Sequence, residues 1–141
     1  MGFGDLIKGA IESSDRMAEQ NRIQKEEKEK KQISDMYRRY ADYLLKEEEI
    51  LFYTSNLKGS YLFLDKRILF HDDRLRKGTK QEYQSIPYKN IKRFIIEKAG
   101  IVDMDTDIKL FLGGSQVESV NLKVPTDSTK TINKIILSKI L

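Results

Sequence analysis

The sequence predicts an α+β, mainly β fold, in which seven short strands form a bent antiparallel barrel between an N-terminal helical arm and a C-terminal capping helix. Three observations predict it. Residues 5–48 contain no proline and, after Gly9, no glycine, whereas short apolar runs separated by polar turns begin at Ile50. After Pro125 the apolar residues return to helical spacing. A bent sheet covered by that last helix is an economical way to bury both apolar surfaces.

The arm is predicted to span residues 1–46. It is rich in Glu, Lys, Gln, Arg and Ala, which favour helix because they lose little rotamer freedom there. One long helix or two helices with a break near residues 9–14 would both fit. Residues 24–32 are almost all charged, so we expect a solvated helix that is anchored only near its end. A coiled coil is not favoured, since apolar heptad positions are not sustained through this centre.

The β domain is predicted to span residues 47–141. Its strands are expected at residues 50–53, 61–64, 68–70, 81–86, 91–96, 108–112 and 117–124. The last of these alternates strictly between apolar and polar residues and is the clearest strand signal in the chain. Pro87 should end the fourth strand because proline cannot donate to a ladder. Turns are expected at residues 55–56, 65–67 and 113–115.

The final helix is predicted over residues 128–141. Thr126, Asp127 and Ser128 are candidate N-cap residues after Pro125. One face of this helix carries four isoleucines: Ile132, Ile135, Ile136 and Ile140. We therefore expect it to pack over the open end of the barrel.

Composition excludes several kinds of chemistry. The chain has no cysteine, which removes disulfides, thiolate metal sites and cysteine nucleophiles, and this suits a cytoplasmic location. Residues 1–50 hold 10 Lys and Arg against 12 Asp and Glu, whereas residues 51–141 hold 16 against 10. The basic surplus of the second part permits an acidic partner or membrane surface, but it is too small to indicate nucleic acid.

Three local motifs lie close together in the β domain. They are Tyr-Leu-Phe-Leu-Asp-Lys-Arg-Ile at residues 61–68, Ser-Ile-Pro-Tyr at residues 85–88, and Glu-x-x-Gly-x-x-Asp-x-Asp at residues 97–105. Together with the order of elements, they make residues 47–141 resemble the short bacterial pleckstrin-homology-like (PH-like) domains. The resemblance implies a PH-like barrel, homo-oligomers that are often ring-shaped, and no assigned enzyme activity.

The resemblance does not imply binding of inositol lipids. Eukaryotic pleckstrin-homology domains that bind phosphoinositides use several basic residues around the first hairpin loop. Here the loop at residues 54–58 has one basic residue, Lys58. Fold alone does not assign a ligand.

Two surfaces are candidate contact sites. Six basic residues could gather at one edge and meet an anionic surface, although a solvated loop that keeps the domain soluble is the favoured interpretation: Lys66, Arg67, Arg74, Arg76, Lys77 and Lys80. Four apolar residues of the arm could face a protein partner or a membrane interface: Phe3, Leu6, Ile7 and Ile11. Amphipathic helices that lie in a membrane interface usually carry more Lys and Arg on their polar face. Beside these apolar residues the only basic residue is Lys8, against Asp5 and Glu12, so a protein partner is favoured.

No catalytic, metal or cofactor site is expected. His71 is followed by two aspartates, but no nucleophile accompanies it in the sequence. Asp103, Asp105 and Asp107 alternate as in a calcium loop, yet the glycine and the distal glutamate of such a loop are missing. No small-molecule substrate is expected either.

The sequence therefore predicts a non-enzymatic interaction or scaffold module that self-associates and presents a helical arm to a protein partner. The alternative is a peripheral membrane adaptor that binds anionic lipid through the basic loop and the N-terminal amphipathic helix.

Overall fold

The computed structural model describes residues 3–57, 59–72, 81–98, 105–114 and 117–141. The chain divides into two compact units, Met1–Leu45 and Lys46–Leu141. In the first unit, α1 (Phe3–Arg39) is one helix of 37 residues, and a 3-10 turn follows at Ala41–Tyr43. Gly9 lies inside α1. One glycine costs a helix only about 1 kcal/mol relative to alanine, which is too little to end this helix. Of the two predicted arrangements, the continuous helix is the one observed.

The second unit contains seven antiparallel strands in two sheets. The strands are β1 (Ile50–Asn56), β2 (Gly59–Leu64), β3 (Arg67–Asp72), β4 (Glu82–Pro87), β5 (Ile91–Lys98), β6 (Asp105–Leu112) and β7 (Val120–Pro125). The first sheet has the order β1-β2-β3-β4, and the second has the order β5-β6-β7. The predicted mainly β fold is confirmed, but the bent sheet is interrupted by a 3-10 turn at Tyr88–Asn90.

All seven strands differ from the sequence prediction by one to three residues at one or both ends, and three of these differences concern predicted turns or the clearest predicted strand. Ser55 and Asn56, predicted as a turn, belong to β1, and Arg67 is the first residue of β3. Val117 precedes β7, which begins at Val120. In each case the pairing of backbone groups with a neighbouring strand, which local residue preference does not report, sets the boundary.

The core lies between the two sheets and α2 (Thr129–Ile140). Ile132 and Ile136 of α2 are fully buried in one cluster with residues of both sheets, including Phe63 and Ile108. Ile135 and Ile140 are partly buried against the same cluster. Each fully buried side chain of this size stabilises the fold by roughly 1.5–3 kcal/mol. The isoleucine stripe predicted from the sequence therefore faces the core.

The start of α2 is tied to β1 rather than capped as predicted. Thr126–Ser128 form a 3-10 turn, and the Ser128 side chain makes no capping hydrogen bond. Its hydroxyl lies 3.3 Å from the hydroxyl of Thr54, in a buried position. Ser128, which the sequence predicts as a helix cap, thus links α2 to the first sheet.

Two glycines are required by local geometry. A Cβ at Gly59 would overlap the backbone carbonyl of His71 on the adjacent β3. Gly113 follows β6 with a φ of 64°, a left-handed conformation that glycine adopts without steric cost. These residues therefore fix where β2 approaches β3 and where the chain turns after β6.

Candidate interaction edge

The β7 edge of the second sheet is closed by side chains of the first sheet. The Asn56 side-chain amide donates to the carbonyl oxygen of Lys123, and the Lys123 N–H donates to the hydroxyl of Tyr61 at 3.1 Å. The Asn56 side-chain oxygen also accepts a hydrogen bond from the Gly59 N–H at 3.1 Å. Asn56 and Tyr61 thus satisfy both backbone groups of Lys123, as a neighbouring strand would.

The opposite edge of this sheet is β5, which pairs only with β6 among the described residues. Its sequence, Ile-Lys-Arg-Phe-Ile-Ile-Glu-Lys, contains neither proline nor glycine and has three β-branched residues. From Arg93 to Glu97 its side chains alternate between exposed and half-buried, and Ile95 is 41% exposed. An edge strand presents unpaired N–H and C=O groups, so β5 offers a template for another strand.

The β4 edge is less suited to pairing. This strand has six residues and ends at Pro87, which has no N–H to donate. Tyr83 of β4 is half-buried, and its ring stacks on His71 at a centroid distance of 4.4 Å and an interplanar angle of 2°. β5 is longer, with eight residues, and none of them is a proline that would lack an N–H.

The outer face beside the β5 edge is ordered by two contacts. The Arg93 guanidinium lies over the Phe111 ring, 4.0 Å from its centroid. Lys109 Nζ lies 2.7 Å from Glu97 Oε2, and this hydrogen bond, with the charges of Glu97 and Glu118, raises the pKa of Lys109. The side chains of β5 that point outward are therefore charged at both ends, with exposed Ile95 between them.

Of the predicted basic cluster, two members lie in the described residues. Lys66 is exposed between β2 and β3. Arg67 donates from Nε and Nη2 to the two carboxylate oxygens of Glu48 at 2.7 and 2.8 Å, and from Nη1 to Ser85 Oγ at 2.5 Å. The Glu48 hydrogen bond raises the pKa of Arg67, and the two side chains are only 19% and 5% exposed. Glu48 therefore compensates the Arg67 charge inside the domain.

The remaining four basic residues, Arg74, Arg76, Lys77 and Lys80, lie outside the described residues. The cluster as a contact site for an anionic surface stays a prediction. No local pattern predicts that Glu48 and Arg67 meet, because they are 19 residues apart and β1 and β2 lie between them.

The predicted apolar face of the arm lies at the beginning of α1. Leu6, Ile7 and Ile11 are exposed, and the side chain of Phe3 lies outside the described residues. Across the part of the chain that is described, neither helix has both the length and the apolar character that crossing a membrane requires.

The residues considered for catalysis or metal binding are His71 and the aspartates Asp103, Asp105 and Asp107. His71 is buried, and its Nε2 lies 3.2 Å from Gln81 Oε1. Within the described ranges, no group of three or more His, Cys, Asp or Glu side chains could hold a metal ion. Asp103 lies outside those ranges, whereas Asp105 and Asp107 are half-buried residues of β6.

Sequence reasoning missed the residues of the β5 edge: Arg93, Ile95 and Glu97. The available signal was the apolar run Phe94-Ile95-Ile96, which places an isoleucine on the outward side of a strand whose other outward residues are charged. Single exposed apolar residues are common on protein surfaces, so Ile95 indicates a contact surface only when the strand is also known to be an edge.

A family model described as "Bacterial PH domain" matches residues 17–140 of the chain. The match begins inside α1, well before the first of the three motifs at Tyr61. The uncharacterized protein YjqA of Bacillus subtilis is 34% identical over 89 residues, which are 63% of this chain and 71% of that protein.

Two solved structures are similar to the chain. The pleckstrin homology domain from Shewanella amazonensis SB2B is 29% identical, with a TM-score of 0.64, and the alignment covers 77% of this chain and 88% of that one. A DUF1696 family protein with a pleckstrin-homology domain from Shewanella loihica PV-4 has a TM-score of 0.66 at 24% identity, covering 77% and 93%. This second likeness concerns the fold alone.

Proposed function

The chain belongs to the bacterial PH domain family, and from that premise we propose that it is a non-enzymatic interaction module. In this proposal the module self-associates through a sheet edge, and it presents the N-terminal part of α1 to a protein partner. The single observation that supports self-association best is the open β5 edge opposite a β7 edge that is closed by Asn56 and Tyr61.

The physical reason is the cost of leaving strand edges unpaired. Within the described ranges, the N–H and C=O groups on the far side of β5 face no neighbouring strand, whereas a second strand would satisfy them and cover Ile95. The non-enzymatic part of the proposal is supported by the family of the chain, which is that of the bacterial PH domains.

The test of self-association is the mass of the full chain by size-exclusion chromatography with light scattering over micromolar concentrations. The proposal predicts a multiple of the chain mass that falls toward one chain on dilution. A monomer at every concentration would overturn it.

The arm requires a separate test because its exposed apolar residues, Leu6, Ile7 and Ile11, could meet protein or lipid. We expect no sedimentation of the full chain with vesicles containing anionic lipid, since Arg67 is paired with Glu48 and α1 carries few cations beside these residues. Sedimentation that weakens with salt, and that Leu6→Ser reduces, would instead favour the membrane adaptor.

A further inference from the structure

The helix α2 carries three lysines and no acidic residue. Lys130 and Lys134 are exposed one turn apart, on the side of α2 opposite to Ile132 and Ile136, which are fully buried in the core. Lys139 is exposed in the last turn. The outside of this helix therefore presents positive charge with no carboxylate of its own to offset it.

The segment that contacts α2 is basic as well. α2 contacts the turn Tyr88–Asn90 and the strand β5 that follows it. Tyr88 and Ile91 are buried in the same core cluster as the α2 isoleucines, whereas Lys89 and Lys92 are exposed. Residues 88–93 contain no Asp or Glu. The two segments together present five exposed lysines, which we call the lysine face: Lys89, Lys92, Lys130, Lys134 and Lys139.

The charges of the lysine face are not compensated within the described ranges. None of its five lysines has an ion-pair partner there, although Asp65 lies between β2 and β3 and Asp127 precedes α2. In α1, by contrast, cations and carboxylates are interspersed, and Arg22 lies 3.6 Å from both Glu19 and Glu26. The positive charge of the lysine face is therefore available to an external anion.

We propose that the lysine face binds an acidic segment of a partner protein, in which Asp and Glu residues follow one another. This goes beyond the proposed function, which uses the open edge of β5 and the N-terminal part of α1. The 12 residues of α2 are roughly 18 Å long, so about six residues of an extended peptide span the helix. Single ion pairs at an exposed surface are weak, and affinity therefore requires several carboxylates in one segment.

The position of Lys139 favours a peptide segment over a flat membrane. Lys139 follows Lys134 by five residues, which is about 140° around the helix, so the positive charge curves around α2. A peptide can follow that curve, whereas a bilayer meets one side of it. Within residues 126–141 the only exposed large apolar side chain is that of Leu141, whereas a helix that lies in a membrane interface inserts several.

The lysine face also differs from a surface that binds nucleic acid. Its cations are lysines, which act as point charges, whereas arginine binds phosphate through two parallel hydrogen bonds. Tyr88, the one aromatic residue of the two segments, is buried and donates to the Leu64 carbonyl, so it cannot stack on a base. Carboxylates require only positive charge within reach, which this face supplies.

The first test uses a fluorescein-labelled peptide that contains about six consecutive glutamates, matched to the length of α2. Its anisotropy is measured against the full chain at low ionic strength. We expect binding whose dissociation constant rises with salt, because exposed charges are screened beyond about 10 Å at 0.1 M. The same peptide with glutamine in place of glutamate should not bind. Absence of binding, or equal binding of both peptides, would overturn the inference.

Charge reversal then locates the binding surface. Lys130→Glu with Lys134→Glu should raise the dissociation constant of the glutamate peptide about tenfold or more. Lys8→Glu with Lys25→Glu changes the net charge of the chain by the same amount at exposed positions of α1, and it should stay within about threefold of the original. Equal losses in the two double variants would show that the net charge binds the peptide and that the lysine face does not.

Amide chemical shifts of the unaltered chain give a test that does not depend on the folding of a variant. The glutamate peptide should shift residues 88–92 and 130–139, and shifts confined to other regions would overturn the inference. Sedimentation of the chain with anionic vesicles that the Lys130 and Lys134 reversals abolish would also overturn it, by assigning the face to a membrane. An oligomer that does not bind the peptide leaves the proposed self-association intact, and a monomer that binds it does the reverse.

Discussion

The two edges of the β5-β6-β7 sheet differ in how their backbone groups are satisfied. At β7, side chains from β1 and β2 bond to both the N–H and the carbonyl of Lys123. At β5, no neighbouring strand is present among the described residues, and its outward side chains are exposed. Specific polar side chains therefore join the barrel at one corner, whereas no strand pairing joins the β4 and β5 edges in the part of the chain that is described.

The contrast between the two edges indicates which one is available to another strand. Closing the β7 edge requires two polar side chains, those of Asn56 and Tyr61. Because they occupy the backbone groups of Lys123, these groups are not available to another chain. An open edge keeps its backbone groups for a partner, at the risk of unwanted pairing.

The largest expected effect concerns the core that holds both edges in place. Ile136 is fully buried, so Ile136→Ala should lower the free energy of unfolding by about 2–5 kcal/mol. Urea denaturation followed by circular dichroism measures it. Lys134→Ala on the exposed side of α2 is the control and should stay near the original value. Small and equal effects from both changes would show that α2 does not hold the sheets together.

A smaller effect is expected from opening the β7 edge. Asn56→Ala removes the bonds to the Lys123 carbonyl and the Gly59 N–H, and we expect a loss of about 1–3 kcal/mol in unfolding free energy. Asn121→Ala is a matched change on β7, because that exposed side chain makes only a long bond of 3.4 Å to Asp107. Its cost should be about 0.5 kcal/mol or less. Equal costs would remove the contrast between the two edges.

The link between the sheets should weaken in alkaline solution. Tyr88, in the turn before β5, is buried and donates to the Leu64 carbonyl at 2.8 Å. Burial, and then the charge of Asp65, raises its pKa. The folded protein thus keeps a proton that the unfolded chain releases above about pH 10, so stability is full below that pH and falls above it by up to about 1.4 kcal/mol per pH unit.

Tyr88→Phe should flatten this alkaline decline, although it also removes the hydrogen bond and lowers stability at neutral pH. Urea midpoints measured between about pH 8 and 11 give the slope, in the range where tyrosine side chains ionise. Tyr43→Phe, at an exposed tyrosine, should leave the slope unchanged. If the Tyr88→Phe and original slopes agree, the phenol of Tyr88 does not set the alkaline limit.

The smallest effect is expected from the arm. Residues 4–32 of α1 are exposed, so deleting residues 1–30 should change the unfolding free energy of the β domain by about 0.5 kcal/mol or less. Amide exchange of residues 20–31 should be fast and that of the strands slow, since local stability follows burial. A truncated chain that does not fold would place part of the arm in the core.

Much of the fold could be predicted because its signals are local. The alternation of Val120, Leu122 and Val124 and the isoleucine stripe of α2 each report a buried face by their period alone. The contacts that decide the edges are long-range. Asn56 and Lys123 are 67 residues apart, and Asn56 carries the same turn preference wherever it stands. Its role appears only once the two sheets are placed side by side.

The candidate site was less accessible to sequence reasoning for the same reason. The basic residues near β3 predict a contact site for an anionic surface, yet Arg67 is paired with Glu48. The outward residues of β5 were not predicted as a contact site, because whether a strand is an edge depends on the order of strands in the sheet. A single sequence does not encode that order locally.

Amide hydrogen exchange of β5 and β7, measured at a low and a high protein concentration, tests the central claim most directly. Pairing of β5 with a second copy predicts that amides within residues 93–97 exchange more slowly at the high concentration, while those of β7 exchange at the same rate in both. Protection that rises with concentration in β7 or β4, with β5 unchanged, would contradict the account.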